Sequence, residues 1–227
     1  MKGALVNTPL PPVRTGSNYG SSRLSYDERW AAYIAASVRE TLNRMPVRAG
    51  DRVLDVGCGT GSLLSALLHR EPDIAAAGVD ISPAMLEVAR TKLDPSVPLV
   101  AAGAERLPFS DATFDIVVSS SSMHYWREVD VALREIVRVL RPDGHLVLTD
   151  WCTDYLTVRV LDAVLRITER RHAAYNRLGC DRALAQAGFV DRRIDRYKID
   201  CFWGLMTAVA TGPRAKPRSP SATESRN

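Results

Sequence analysis

A chain of 227 residues with 46% hydrophobic and 25% charged residues has room for one α/β domain with a sizeable core. Arg214, Lys216, Arg218 and Arg226 against Glu224 carry +3 of the formal net charge of +4, so the rest of the chain is near neutral and lacks the charge of a nucleic-acid-binding domain. No apolar run approaches the ~18 residues of a membrane span.

Residues 1–20 hold prolines, glycines and polar residues without apolar period, and read as a mobile arm. They lack a charged-then-apolar export signal, so a cytoplasmic protein is expected. Cys58, Cys152, Cys180 and Cys201 form no C-x-x-C pair, and His69, His124, His145 and His172 are equally dispersed. Neither a zinc site nor a disulfide framework follows from that spacing. The domain itself is expected over residues 21–211. Ser25-x-x-Glu28 has the form of a capping box, and Trp30, Ile34, Val38, Leu42 and Met45 follow at helical spacing up to Pro46.

The centre of the chain is Arg52 to Gly61. Val53, Leu54 and Val56 predict a buried parallel strand; Gly57, Gly59 and Gly61 follow at alternate positions; Ser62 to Leu68 predicts a helix. That order brings backbone N–H groups against a ligand at a helix N-terminus. A dinucleotide fingerprint needs its third glycine at position 62, which is serine, and a P-loop needs a lysine absent between Lys2 and Lys92. Asp55, two residues before Gly57, would repel a pyrophosphate and suits a cationic or neutral nucleoside. Asp55, Gly57, Gly59 and Gly61 resemble the D-x-G-x-G-x-G motif of the class I S-adenosylmethionine-dependent methyltransferases. That resemblance implies a Rossmann-like, doubly wound α/β sheet of seven strands with an antiparallel last strand, and S-adenosylmethionine as cofactor. Asp55, Gly57, Cys58 and Gly59 are then expected at the cofactor.

Ile74 to Val79 predicts the second strand, and Ser82 followed by Pro83 the start of a helix. Asp80 therefore stands at a strand end about twenty residues beyond the glycine turn, where a carboxylate accepts from ribose hydroxyls. The resemblance adds Ile81 as packing on the adenine. It also implies that the helix carrying Tyr26, Asp27 and Trp30, similar to a Tyr-Asp-x-x-Trp stretch, covers the cofactor.

A third strand is expected over 97–101. Ala102 to Phe109 resembles the G-D-A-E-x-L-P-F stretch of relatives that include quinone-biosynthesis methyltransferases, except that Gly103 replaces the Asp which usually accepts from the adenine amino group. Ala104 and Glu105 are expected to read the adenine in its place. Thr113 to Val118 predicts the fourth strand, and Ser119 to Trp126 is similar to an S-x-x-L-H-H/Y-W motif. Ser120 is expected to border the methionine moiety and His124 to act as general base for the acceptor.

Leu133 to Leu140 predicts a helix stopped by Arg141-Pro142-Asp143-Gly144, and His145 to Thr149 a fifth strand. Asn176 caps a helix that ends before Gly188, and 189–194 with 204–210 supply the last two strands as an antiparallel hairpin at the sheet edge. The Pro/Arg/Ser-rich residues 212–227 read as a disordered basic tail. Tyr125, Trp126, Trp151 and Tyr155 near strand ends suit a small aromatic or apolar methyl acceptor. Two alternatives stand beside methyl transfer. One is a protein that holds the nucleoside without turnover; the other is a nicotinamide-dependent dehydrogenase, against which the glycine spacing argues.

Overall fold

The computed structural model describes residues 23–169 and 174–213. One sheet contains β1 (Arg52–Val56), β2 (Ala75–Asp80), β3 (Leu99–Ala101), β4 (Phe114–Ser120), β5 (Leu140–Trp151), β6 (Val190–Lys198) and β7 (Gly204–Thr211). Its spatial order is β3-β2-β1-β4-β5-β7-β6. The first five strands pair in parallel, while β7 lies antiparallel between β5 and β6. The expected seven-stranded, doubly wound sheet with an antiparallel last strand is the observed fold. The last strand is inserted beside β5, and β6 forms the edge.

Among the described residues six α-helices cover the sheet: α1 (Arg23–Leu42), α2 (Ser62–Arg70), α3 (Pro83–Lys92), α4 (Val129–Val139), α5 (Leu156–Glu169) and α6 (Arg177–Gln186). Side chains alternate along each strand, so each strand supplies two cores. Val53, Ile116, Val118 and Val147 pack with Leu42 of α1 and Leu63 and Leu67 of α2. Leu54, Val117, Leu146 and Leu148 face the other way, against Leu133 and Ile136 of α4 and Leu184 of α6. The chain winds outward from β1 in both directions. This leaves a crevice at the carboxyl ends of β1 and β4, where an open α/β sheet binds its ligand.

Hydroxyls as well as apolar contacts hold α1 against the sheet. Thr41 Oγ1 is 2.8 Å from Thr149 Oγ1 of β5, which is 2.8 Å from Thr207 Oγ1 of β7, and Tyr197 Oη of β6 stands 2.6 Å from Thr207. The three threonines are fully buried.

Several boundaries differ from expectation. The helix is already running at Arg23, so Ser25 and Glu28 lie inside it and do not form its start. Arg23 and Leu24 are good helix formers, which lets the helix extend ahead of the capping-box pattern. Ser82 occupies the N-cap of α3 without a side-chain cap; its backbone N–H instead donates to Asp80 Oδ1. β5 starts at Leu140, five residues before the expected strand, with Arg141 to Gly144 taken up in an irregular register against β4. Arg141 Nη1 to Asp115 Oδ1 clamps that irregularity, and Gly144 is required there because a Cβ would lie 2.9 Å from the carbonyls of Arg141 and Asp115. Asn176 caps α6 as expected, its Oδ1 accepting from Gly179 N at 2.6 Å. The arm over 1–20 and the tail beyond Pro213 lie outside the described residues.

Candidate active site

The glycine turn leaves β1 with Gly57, Gly59 and Gly61 all at positive φ. At Gly57 a Cβ would collide with Ser122, whose side chain reaches across from beyond β4. The N–H groups of Gly57 and Cys58 donate to the Val79 carbonyl, which ties the turn to the end of β2. Cys58 is buried, and burial raises its thiol well above the ordinary range, so it packs rather than reacts.

Asp80 closes the opposite wall. Its two carboxylate oxygens accept from Gly59 N and Ser82 N, both at 2.8 Å. Burial raises its pKa, opposed by those two bonds. The carboxylate is therefore fixed in direction by backbone donors, with a second lone pair on each oxygen for a further donor.

Asp55 is the most exposing clue to what the cavity holds. It is 1% exposed, and neither carboxylate oxygen has a hydrogen-bond partner. Burial, with a smaller contribution from the nearby Asp80 charge, pushes its pKa up to about 8. A buried carboxylate left without a donor is costly unless a ligand supplies one. An ammonium group supplies such a donor and a sulfonium supplies a counter-charge; a pyrophosphate supplies neither.

Asp55 and Asp80 open on one cavity of about 800 Å³, lined also by Gly57, Cys58, Gly59, Ile81, Ala104, Glu105 and Ser120. Every residue expected at the cofactor is thus brought to a single cleft. Ile81 is 39% exposed, an apolar surface turned toward the opening. Glu105 is engaged by the loop ahead of α4, accepting from Arg127 N at 2.8 Å. The segment that carries Ala104 and Glu105 is braced from α4. Leu107 N donates to Glu135, while Arg138 donates to the carbonyls of Leu107 and Phe109. Arg138 in turn holds the Glu135 carboxyl below its usual range.

Beyond Ser120 the chain turns sharply. Ser121 adopts φ 56°, and Met123–Tyr125 forms a 3₁₀ turn. Ser122 Oγ donates to the Val56 carbonyl and accepts from Trp126 Nε1. Tyr125, Trp126 and Arg127 line the cavity, but His124 is not among its lining residues. The His124 ring is 1% exposed and lies 2.7 Å through Nδ1 from Asp150 Oδ1. It is stacked on Trp151 at 4.1 Å and packs against Tyr125. Of the other aromatic residues expected near the ligand, Trp151 lies behind Tyr33, and Tyr155 packs against Gly204.

Tyr33 on α1 is the residue that sequence reading missed. It lines the cavity, and its hydroxyl is 2.7 Å from Ser121 Oγ while accepting from Trp151 Nε1 at 2.9 Å. Burial holds its phenol un-ionised, well above the ordinary range. The signal was available, since Tyr26, Trp30, Tyr33 and Ser37 recur at three- and four-residue spacing on one helix face. Asp27 latches the same helix to the glycine turn, accepting from Thr60 Oγ1 at 2.7 Å and pairing with Lys92 of α3. Among the described residues no cluster of side chains fits a metal ion.

Residues 54–148 match the family model described as a methyltransferase domain. An uncharacterized methyltransferase, YdaC, of Bacillus subtilis is 32% identical over 52% of this chain and 69% of its own length. The ubiquinone/menaquinone biosynthesis C-methyltransferase UbiE of Idiomarina loihiensis is 37% identical over 50% of this chain, which spans only 47% of that protein. Among solved structures, a chain from the complex of the Haloferax volcanii Trm112 methyltransferase activator with a methyltransferase superposes with a TM-score of 0.77. It is 21% identical and is covered completely by 88% of this chain.

Proposed function

This chain belongs to the S-adenosylmethionine-dependent methyltransferases, and from that premise we propose that it methylates a small, flat aromatic or apolar acceptor. The cofactor supplies a sulfonium methyl group already activated for in-line displacement. The chain's own task is then to align acceptor and donor and to exclude water, which is worth up to ~7–11 kcal/mol in favourable cases. In this reading Asp80 accepts from the ribose hydroxyls and Asp55 faces the cationic methionine end. Gly57, Cys58 and Gly59 give close backbone approach, Ile81, Ala104 and Glu105 surround the adenine, and Ser120 borders the methionine moiety.

The observation that carries the acceptor class is the aromatic lining of the cavity, Tyr26, Tyr33, Tyr125 and Trp126. Behind this wall the Tyr33 ring stands 5.0 Å from Trp203 and 6.1 Å from Trp30, and Trp151 donates to its hydroxyl. Arg127 is the one cationic side chain among the lining residues, against Asp55, Asp80 and Glu105. A neutral ring with a hydroxyl or acidic carbon suits such a wall, whereas a phosphorylated or carboxylated acceptor meets three carboxyl groups and a single arginine there. His124 as general base belongs to the same proposal, and Tyr125 is the lining residue in contact with its ring.

Methyl transfer from labelled S-adenosylmethionine to a panel of phenols and quinols, run beside their phosphate and carboxylate analogues, tests the reading. Product is expected from the neutral ring compounds. Transfer confined to the anionic analogues overturns the acceptor class, and cofactor binding without transfer to any compound of the panel favours a binding protein.

A further inference from the structure

α5 is apolar around most of its circumference, which a helix at a protein surface normally is not. Val158, Leu161 and Leu165 face inward, packing with Trp151 and Leu205 behind the aromatic wall. Leu156, Val160, Val164 and Ile167 are 65%, 56%, 51% and 83% exposed. At 3.6 residues per turn these four fall within roughly 100° of the helix circumference, so they form one continuous stripe. Phe202, 41% exposed, extends the stripe toward the cavity.

The position of Phe202 is built rather than incidental. Asp200 Oδ1 accepts from both Phe202 N and Trp203 N, and the Phe202 carbonyl accepts from Thr157 Oγ1 of α5 at 2.6 Å. Phe202 touches Trp203 with ring centroids 4.9 Å apart, and Trp203 touches Tyr33 at 5.0 Å. A chain of contacts therefore leads from Thr157 on α5 through Phe202 and Trp203 to Tyr33, which lines the cavity.

Charge selects the occupant of this face. Arg159 and Arg166 both lie along the same edge of the stripe, and both are exposed. Arg166 is paired with Asp162, but Arg159 forms no ion pair among the described residues. Asp162 is 6% exposed and is turned inward. A second copy packed stripe to stripe would bring arginine toward arginine, and the exposed Asp200 beside Phe202 is already turned onto two backbone amides. An anionic lipid surface offers both an apolar layer for the stripe and negative headgroups for its basic edge.

We propose that the outer face of α5, with Phe202, docks this protein in the plane of an anionic lipid surface. The helix lies on that surface and does not span it; no described helix is long and apolar enough to cross a membrane. The docking stands independently of the reaction. Its consequence for catalysis, that an apolar acceptor is taken from the lipid phase along Phe202 and Trp203, rests on the methyl-transfer reading.

Flotation of the full chain with vesicles tests the docking without any acceptor. Vesicles of phosphatidylcholine with about 30% phosphatidylglycerol are compared with phosphatidylcholine alone. The wild-type protein is expected to float with the anionic vesicles. The double variant Val160→Asp, Ile167→Asp is expected to lose about tenfold or more in partitioning. Arg159→Glu is expected to lose roughly fivefold on anionic vesicles alone. All three positions are exposed, so melting temperatures should stay unchanged, which separates lost docking from lost folding. Absence of binding to anionic vesicles overturns the proposal. So does binding that the double variant retains in full, which would point to the basic residues beyond 213. A concentration-dependent dimer that Val160→Asp abolishes, in protein that ignores vesicles, overturns it in favour of self-association.

Discussion

At the scale of single residues, Asp55 and Asp80 divide the work by their surroundings. Asp80 is fixed by two backbone amides, whereas Asp55 has no donor among the described residues, so the first is a built acceptor and the second a buried carboxyl suited to a cationic ligand. Asp80→Ala is expected to cost about tenfold or more in S-adenosylmethionine affinity, ~1.5–3 kcal/mol, because hydrogen bonds to a charged acceptor are lost. Calorimetry on the folded variant showing unchanged affinity would remove the ribose role. The Asp55 pKa is raised in the folded chain to about 8 from the ordinary 3.8, so between those values the folded state holds a proton that the unfolded state has released. Stability of the ligand-free protein should therefore fall as pH rises from about 4 toward 8. Asp55→Asn should flatten that slope in thermal melts taken across the range, while weakening cofactor binding. A slope identical in both proteins would show that the group does not titrate as its burial demands. His124→Ala separates the two roles open to that ring. A general base gives a turnover number lower by ~10²–10⁴ with cofactor affinity nearly unchanged and partial rescue at higher pH. Parallel loss of turnover and affinity without pH rescue instead marks a residue that shapes the loop through Asp150 and Trp151.

Elements are joined around the cleft by polar contacts that strand and helix patterns do not announce. α1 covers the cavity because Asp27 is tied to Thr60 and Lys92 at one end, Tyr33 to Ser121 in the middle, and Thr41 to Thr149 near its last turn. These bonds cross from the helix to the glycine turn, to α3, to the turn beyond β4 and to β5. Thr41→Val keeps volume nearly constant and removes a fully buried link, so a loss of about 1–3 kcal/mol is expected. For a domain of this size that lowers the melting temperature by roughly 2–4 °C for each kcal/mol. A melting temperature equal to wild type would mean that Thr149 and Thr207 satisfy each other without α1.

For the whole molecule, a ligand that fits one cleft at the switch point should stabilise the entire cooperative sheet. At a hundred times its dissociation constant, S-adenosylmethionine contributes ~2.7 kcal/mol, which corresponds to a rise of about 5–10 °C in melting temperature. NAD should give no comparable rise, because its pyrophosphate meets Asp55 and a turn whose third glycine comes one residue early. Equal stabilisation by both would undo the reading of the glycine spacing. The same scale explains the charge. The domain that encloses the cleft is near neutral, and the excess of basic residues lies past Thr211 where the sheet ends.

Local chemistry was legible without coordinates wherever a residue's role is set by its neighbours in the chain. Three glycines after a β-branched run, a carboxylate at the next strand end and asparagine before a helix each act within a few residues, so β1, α2, β2 and the α6 cap could be read directly. The cleft residues from Asp55 to Ser120 followed from the same motifs. What the sequence could not decide depends on contacts across 26 to 118 residues. Tyr33 meets Ser121 and Trp151, Thr41 meets Thr149, and the ring of His124 is turned onto Asp150 and away from the cavity lining. Those distances are set by how α1 and the turn beyond β4 pack on the finished sheet. The sequence by itself determined the family, the sheet and the residues that meet at one cleft, because backbone geometry and single charges specify them locally. Only the tertiary structure decided which side chains of α1 and of the turn beyond β4 wall the cavity and which face of α5 is left outside, because packing at long range is what turns a side chain inward or out.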